Sequence, residues 1–438
     1  MFQSITSLFP ILIRLLIIIS FLCIIDVYAY QAIKNLTENL KLSHKKIIKI
    51  FYWSMSASLY ILFILLILRV IPLSSRSFIT FISVLFFSFI LSKLLMSIPL
   101  ILEDIYRILH KIISFFITSD TNENKGLKLI SRKKFISQVS AGLGALTFSG
   151  IVYGATKGSH HYKIHRKSIA LKQLPNSFKN LKIAQLSDIH CGSFWNKQAV
   201  SKGIDMLLAE KPDMILFTGD LVNSITDELN SDYQELFSKL KAPLGVYSVL
   251  GNHDYGDYYQ WPDKKFDMKM HPEKLHMSPL QKENLSRLIE TQKKMGWDVL
   301  LNEHRIIKKG EDELALIGIE NYGAKGQFAK YGKLDVAYAG TENHAIKILM
   351  SHDPSHWNYE VTKKYKDINL TLSGHTHGAQ FGIETGGFQW SPIKYRYKEW
   401  AGLYEQDEQL LYVNRGFGYL GYPGRLGIRP EITIITLV

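Results

Sequence analysis

The chain runs to 438 residues, more than one ordinary domain of about 100–200 residues accounts for, with 52 Lys and Arg against 39 Asp and Glu for a formal net charge of +13. Two cysteines, Cys23 in an apolar run and Cys191 in the polar half, exclude a disulfide scaffold. The basic excess flanks apolar runs and comes with no zinc-finger spacing or RNA-binding aromatic signature, so anionic lipid rather than nucleic acid is its expected partner.

Four apolar runs occupy the N-terminal third, at residues 9–30, 48–71, 78–102 and 135–155. The first three are long enough to cross a hydrocarbon core of about 30 Å and carry few charges, among them Arg14, Arg69 and Lys93. They read as transmembrane helices. The fourth, FISQVSAGLGALTFSGIVYGA, is richer in Gly, Ala and Ser and reads either as a further span or as a cleaved signal-like segment. Basic residues cluster between the first two runs (Lys34, Lys41, Lys45, Lys46, Lys49) and between the last two (Arg107, Lys111, Lys125, Lys128, Arg132, Lys133, Lys134), which assigns both loops to the cytoplasm. Four spans then carry the remainder to the outer, periplasmic side of a bacterial inner membrane, whereas three would leave it inside. The stretch SRKKFISQVSAGLGAL favours export: it resembles a twin-arginine signal, with Lys133 in place of the second arginine and an internal position. The expected organisation is a transmembrane region of three to four helices over 1–155, a basic linker over 156–180 and a globular domain over 181–438.

In the globular part, short apolar runs repeatedly end in ionisable clusters: KIAQL before SDIHCG, DMILF before TGDLVN, GVYSVL before GNHDYG, AIKILM before SHDPSH, and INLTL before SGHTHG. Between them, NKQAVSKGIDMLLAEKPD, SDYQELFSKLKAP and PLQKENLSRLIETQKKMG have helical spacing, the first with Asn196 as its cap. A hairpin turning at Gly310 and two C-terminal strands add an antiparallel portion, so an α/β fold of two packed sheets with helices outside is expected. In such sheets the C-terminal strand edge binds ligands, because loops from several strands converge there. The groups delivered to that edge are Asp188, His190, Asp220, Asn252, His253, Asp254, His352, His375 and His377, all nitrogen or oxygen donors. Such donors suit Mn, Fe or Zn, and the absence of thiolates argues against a structural zinc site. On a strand, His375 and His377 would share a face and converge on one point. Gly219, Gly251 and Gly374 mark close packing around the cluster.

In this order D-x-H, G-D, G-N-H-D, a lone H and G-H-x-H resemble the signature of the calcineurin-like metallophosphoesterase superfamily. The segment YVNRGFGYLGYPGRLGIRPEITIITL, with the membrane anchor, is similar to the bacterial branch of membrane-associated phosphodiesterases and UDP-2,3-diacylglucosamine pyrophosphatases. The resemblance implies a four-layer sandwich. It implies two divalent ions, one held by Asp188, His190, Asp220 and His377 and the other by Asp220, Asn252, His352 and His375, with Asp220 shared. It further implies attack on phosphorus by a metal-bridging hydroxide, with His253 as the acid and Asp254 as a partner for its ring. A phosphodiester or pyrophosphate bond in a lipid-linked substrate at the bilayer is the expected target. Alternatives are a protein or nucleotide phosphatase, or a membrane sensor that keeps the metal site without turnover. Tyr255, Tyr258, Tyr259, Trp261 and Phe266 are candidates for an aromatic rim, and Arg415, Arg425 and Arg429 for phosphate clamps.

Overall fold

The computed structural model describes residues 2–67, 76–116, 132–264, 277–326 and 328–438, with side chains from residue 17 onward in the first helix. The side chain of Arg14, and Arg69, Lys125, Lys128 and Phe266 altogether, lie outside the described residues. The chain folds as two compact units, Met1–Tyr153 and Gly154–Val438.

The first unit is built of helices α1 (Phe2–Leu36), α2 (Leu42–Ile67), α3 (Arg76–Phe116) and α4, which starts at Arg132 and ends at Thr156. All four are long and apolar enough to cross a membrane, the Gly/Ala/Ser-rich fourth run included. Leu102, Phe115 and Leu146 stand exposed on their outer faces, as lipid-facing side chains do. Polar groups turn inward instead. Lys93 Nζ donates to Asp26 Oδ1 at 2.5 Å and to Ser56 Oγ at 2.6 Å, and Asp26 also accepts from the hydroxyls of Tyr52 and Tyr60. Asp26, which apolar patterning does not single out, is the partner that makes Lys93 tolerable there.

In the second unit one six-stranded sheet contains β1 (Lys163–Ile169), β2 (Lys182–Leu186), β3 (Met214–Phe217), β4 (Val246–Ser248) and β5 (Asp298–Val299). The other contains β6 (Glu303–Lys309), β7 (Asp312–Gly318), β8 (Lys347–Met350) and β9 (Leu370–Ser373), followed after a separate hairpin of β10 (Ile383–Thr385) and β11 (Phe388–Trp390) by β12 (Gly402–Gln406) and β13 (Gln409–Val413). The last strand, β14 (Glu431–Leu437), returns to the first sheet between β1 and β2. Residues 156–180, expected as a linker, are therefore part of the fold: β1 pairs in parallel with β14 from Lys163↔Glu431 to Ile169↔Leu437. β1 is hard to read as a strand in the sequence because four of its seven residues, Lys163, His165, Arg166 and Lys167, are basic.

Strand periodicity builds the layers. Met214 and Leu216 point into the space between the sheets, where they meet Leu316, Ile348, Met350 and Leu372. Ile215 and Phe217, one residue out of phase, face the helices. There α5 (Lys197–Ala209) contributes Val200, Ile204 and Leu207, each fully buried side chain being worth about 1.5–3 kcal/mol. Helices α6 (Ser231–Phe237) and α7 (Pro279–Lys294) cover the same face. Their starts are fixed by side-chain caps, Asn196 Oδ1 on Ala199 N–H, Asn230 on Tyr233 and Ser278 on Gln281. On the far side of the second sheet Ile317, Leu349 and Leu411 pack against Trp357 and Val361. The result is the four-layer arrangement of helices, sheet, sheet and helices.

Candidate metal centre

The parallel strands of both sheets end at one edge. β2, β3 and β4 of the first sheet deliver Asp188, His190, Asp220, Asn252 and His253, while β8 and β9 of the second deliver His352, His375 and His377. Two sets of donors result, each with its ligand atoms within 4.8 Å of one another: Asp188, His190, Asp220 and His377, and then Asp220, His352 and His375. Asp220 belongs to both. Its Oδ2 lies 3.5 Å from His190 Nε2 and 3.2 Å from His352 Nε2.

Alternation along a strand is not what aims the last two histidines. β9 stops at Ser373, and His375 and His377 both take left-handed backbone, with φ of 71° and 51°. Their rings consequently part: His377 Nε2 faces His190 Nε2 at 3.0 Å, and His375 Nδ1 faces Asn252 Oδ1 at 2.8 Å. Asp188, His190 and Asp220 are left-handed too, at 51°, 47° and 62°. Such conformations cost about 1–3 kcal/mol each in a non-glycine residue and persist where surrounding structure imposes them for function. The glycines are needed for space, since a Cβ at Gly219, Gly251 or Gly374 would collide with Gly251 and His352, with Asp220, or with Asp188.

Hydrogen bonding prepares the rings as ligands. His352 Nδ1 meets the carbonyl of Thr218 at 2.7 Å and must donate, which makes Nε2 the nitrogen that faces Asp220 and the one that offers a lone pair once a cation displaces its proton. That buried nitrogen makes no hydrogen bond of its own, and neither does His190 Nδ1. His375 Nε2 lies 2.9 Å from Tyr397 Oη and 3.4 Å from Asp353 Oδ2; a proton there turns the Nδ1 lone pair toward that of Asn252 Oδ1. Two acceptors facing each other at such a distance are repulsive unless a cation or a proton lies between them. Tyr397 lies outside every strand-end cluster and Asp353 stands in that of His352, so the sequence does not assign either to His375 and only folding sets them behind it.

The electrostatics point the same way. Burial disfavours ionisation of Asp220, yet His352 and His253 beside it hold its carboxyl well below the usual range. Burial likewise works against a charged His352, but the Asp220 carboxylate outweighs it and lifts the imidazole to about 10. The buried carboxylates thus demand cations, and histidines are the only ones the polypeptide places against Asp220 among the described residues. An all-N/O donor set with converging lone pairs and two buried aspartates fits a pair of divalent ions.

His253 is not in either donor set. Its Nδ1 meets the Asn223 carbonyl at 2.7 Å, its ring stacks on Tyr258 with centroids 4.2 Å apart, and it lines a cavity of about 230 Å³ with Asp220, Asn252, His375 and Arg396. Asp254 does not touch this ring, contrary to expectation. Its carboxylate accepts from the backbone N–H groups of Asp220, Leu221, Val222 and Gly251, clamping two strand-end loops together. Burial, with Asp220 nearby, raises it to about 7.

The aromatic rim is also redistributed. Tyr255 is fully buried against Asn321 and Glu320, Tyr258 binds Asn252 Nδ2 at 2.9 Å, and Tyr259 and Trp261 line a separate cavity with Ile225. Nor are the three arginines clamps for phosphate. Arg415 is buried between Glu431 and Glu384, Arg425 spans Gly418 O and His377, and Arg429 donates to the carbonyls of His161 and Tyr162. The exposed guanidinium at the cavity is that of Arg396, which lies outside any recognised motif.

A two-sheet sandwich with Asp and His donors at its strand ends defines an α/β metallophosphoesterase domain. Residues 181–379 match the family described as "Calcineurin-like phosphoesterase", and residues 10–159 match "Probable Calcineurin-like phosphoesterase, transmembrane domain". The chain thus carries a calcineurin-like phosphoesterase domain together with the transmembrane domain described for such phosphoesterases, and is a membrane protein. It is 28% identical over 326 residues to "Uncharacterized metallophosphoesterase YkuE" of Bacillus subtilis (strain 168), covering 71% of this chain and 99% of that one. With "Phosphodiesterase YaeI" of Escherichia coli (strain K12) it shares 26% over 310 residues, 71% of this chain and 100% of that one. A zebrafish (Danio rerio) "Transmembrane protein with metallophosphoesterase domain" is 30% identical over 295 residues, 65% of this chain but 60% of its own length. The match spans 55% of the bovine (Bos taurus) protein of the same description.

Proposed function

We propose that the chain is a dinuclear metal-dependent phosphoesterase that cleaves a phosphodiester or pyrophosphate bond in a lipid-linked substrate at a membrane surface. The observation that carries this reading is Asp220 Oδ2, set between a histidine of each donor set. Asp188, His190, Asp220 and His377 would hold one divalent ion, and Asp220, Asn252, His352 and His375 the other, with Mn first among the candidates and Fe or Zn also suited. Bound there, the ions supply Lewis-acid neutralisation of phosphoryl oxygens and a hydrolytic water acidic enough to act near neutral pH.

The chain's own residues do the rest. The Asn223 carbonyl keeps a proton on His253 Nδ1, so Nε2 is the nitrogen that carries and releases the second proton. In the cavity it would deliver that proton to the departing oxygen. Tyr258, stacked on the ring and bonded to Asn252, fixes the imidazole beside the ligand it must work with. Asp254 ties the Asp220 and Asn252 loops to one another, which keeps the shared carboxylate in place. Arg396 at the cavity would bind a phosphate oxygen away from the reacting centre. Phe328, Ile393 and Leu420 beside it give the cavity an apolar side, which suits an amphipathic substrate.

The four apolar helices and the basic loops support an inner-membrane location with the catalytic domain on the periplasmic side. The test is hydrolysis by the full chain purified in detergent, with Mn²⁺, of a model diester, a lipid pyrophosphate, a phosphopeptide and a cyclic nucleotide. Turnover of the lipid pyrophosphate should exceed that of the last two by at least about ten-fold, and EDTA should abolish it, with recovery on adding Mn²⁺. Equal rates would remove the lipid preference. No hydrolysis with any divalent metal would favour the sensor.

A further inference from the structure

The membrane unit contains a cavity of its own, of about 460 Å³, inside the range of about 300–1,000 Å³ typical of small-ligand sites. All four helices line it, with Ile33 from α1, Met55 from α2, Phe89 and Met96 from α3, and Gly144 and Phe148 from α4. Its wall is almost wholly apolar. Gly144 keeps it open, because α4 there presents no side chain toward Met96, whose Sδ a Cβ would approach to 3.3 Å.

Two polar groups interrupt that wall on α3, Ser92 and Lys93. Hydroxyls in membrane helices ordinarily return their proton to the carbonyl four residues back, as Ser88 does to Val84 at 2.6 Å, Ser97 to Lys93 at 2.7 Å, Ser137 to Lys133 at 2.9 Å and Thr147 to Leu143 at 2.8 Å. Ser92 does not. Its hydroxyl is buried, at 8% exposure for the residue, and has no hydrogen-bond partner. An unpaired hydroxyl away from water costs about 1–3 kcal/mol, so a partner of its own is expected. Lys93 spends two of its three N–H donors on Asp26 and Ser56. Because Asp26 already neutralises its charge, the cavity presents hydrogen-bond donors but no net charge.

We infer that this interhelical cavity binds one hydrocarbon chain of a membrane lipid, with an uncharged acceptor group of that lipid, such as an ester carbonyl, held by the Ser92 hydroxyl and Lys93. The solvent around the unit is lipid, which supplies such chains at high local concentration, and an apolar wall among exposed Leu, Ile and Phe side chains selects hydrocarbon over water. An anionic headgroup is disfavoured, since Lys93 has no unbalanced charge to offer it. The site is separate from the phosphoesterase centre and does not depend on the activity proposed for it.

The experiment is photolabelling of the full chain in phosphatidylcholine vesicles. The probes are a diazirine-bearing monoacylglycerol, a diazirine hydrocarbon of equal length without the ester, and a diazirine phosphatidic acid, with labelled residues mapped by mass spectrometry. The monoacylglycerol should label Met96 and Phe148 saturably, and excess unlabelled monoacylglycerol should compete. Ser92→Ala should weaken that labelling about five-fold, as loss of one hydrogen bond requires, and leave labelling by the hydrocarbon unchanged. Gly144→Leu, which fills the cavity, should remove both, while the lipid-facing Leu146, 74% exposed, stays labelled in every variant and reports an intact span. Cavity labelling no stronger than that of Leu146, or unsaturable, overturns the inference. Stronger capture of the phosphatidic acid overturns the uncharged head. Should Gly144→Leu misfold, Ser92→Ala and the competition decide alone.

Discussion

Each unit of this protein buries ionised groups, and they differ in whether the polypeptide balances them. In the membrane unit one carboxylate, Asp26, meets one ammonium, Lys93, and the remaining Asp26 lone pairs are taken by Tyr52, Ser56 and Tyr60. At the strand ends two carboxylates, Asp188 and Asp220, accept the backbone N–H groups of His375 and His253 but have only imidazoles as ion-pair partners, and the nitrogens of those rings face acceptors or one another. A balanced cluster in low dielectric is an interhelical lock. An unbalanced one, held in strained backbone by close-packed glycines, is a seat for cations. Burial alone does not tell the two apart; the count of donors against acceptors does.

The largest effect that would break this contrast comes from Asp220→Ala. It removes the oxygen common to both donor sets, so metal content measured by mass spectrometry should fall for both ions and hydrolysis should drop by more than the roughly 10–100-fold typical of outer-shell changes. Retention of both metals would overturn the shared-ligand arrangement. His253→Ala should leave metal content unchanged and slow turnover by about 10²–10⁴-fold, because the ring lies outside both donor sets. Loss of metal in this variant instead would make His253 a ligand.

Lys93→Met should destabilise the membrane unit in detergent by about 3–5 kcal/mol, since it strands Asp26, whereas Asp26→Asn combined with Lys93→Met should recover most of that loss. A double variant as damaged as the single one would show that the pair is not a self-contained lock. The smallest effect concerns a balanced cluster inside the second unit, Arg415 and Lys163 with Glu431 and Glu384. Burial opposes ionisation of Glu431, but the Arg415 guanidinium outweighs it and holds the carboxyl at about 2, below its ordinary 4.5. Stability from this group is therefore present above about pH 4.5 and is lost as pH falls toward about 2. Glu431→Gln should flatten the unfolding temperature's dependence on pH across that window, and an unchanged slope would refute the assignment.

The sandwich was legible because strand and helix periods are local. KIAQL became β2 residue for residue, and Asn196 caps α5 as its position before an amphipathic run predicts. β1 escaped because most of its side chains are basic and resemble a linker, and β5, two residues long, carries too little pattern to see. The donors at the strand ends were legible for a related reason: each follows an apolar run directly, so chemistry and strand end coincide in the chain. Their second contacts were not. Asp254, which proximity in sequence assigns to the His253 ring, binds backbone amides instead, and the carbonyl of Asn223 from another strand end holds that ring.

By itself, then, the sequence determined which side chains stand at the ends of strands and which helices are apolar enough for a bilayer, since both follow from short-range patterning. Tertiary structure alone decided which acceptor meets which donor: that Lys93 meets Asp26 from 67 positions away, that Arg415 turns inward to Glu431, and that Arg396 is left facing the cavity. Hydrogen bonds and ion pairs act over a few ångströms whatever the distance along the chain, so partners of this kind are fixed only once the layers have closed.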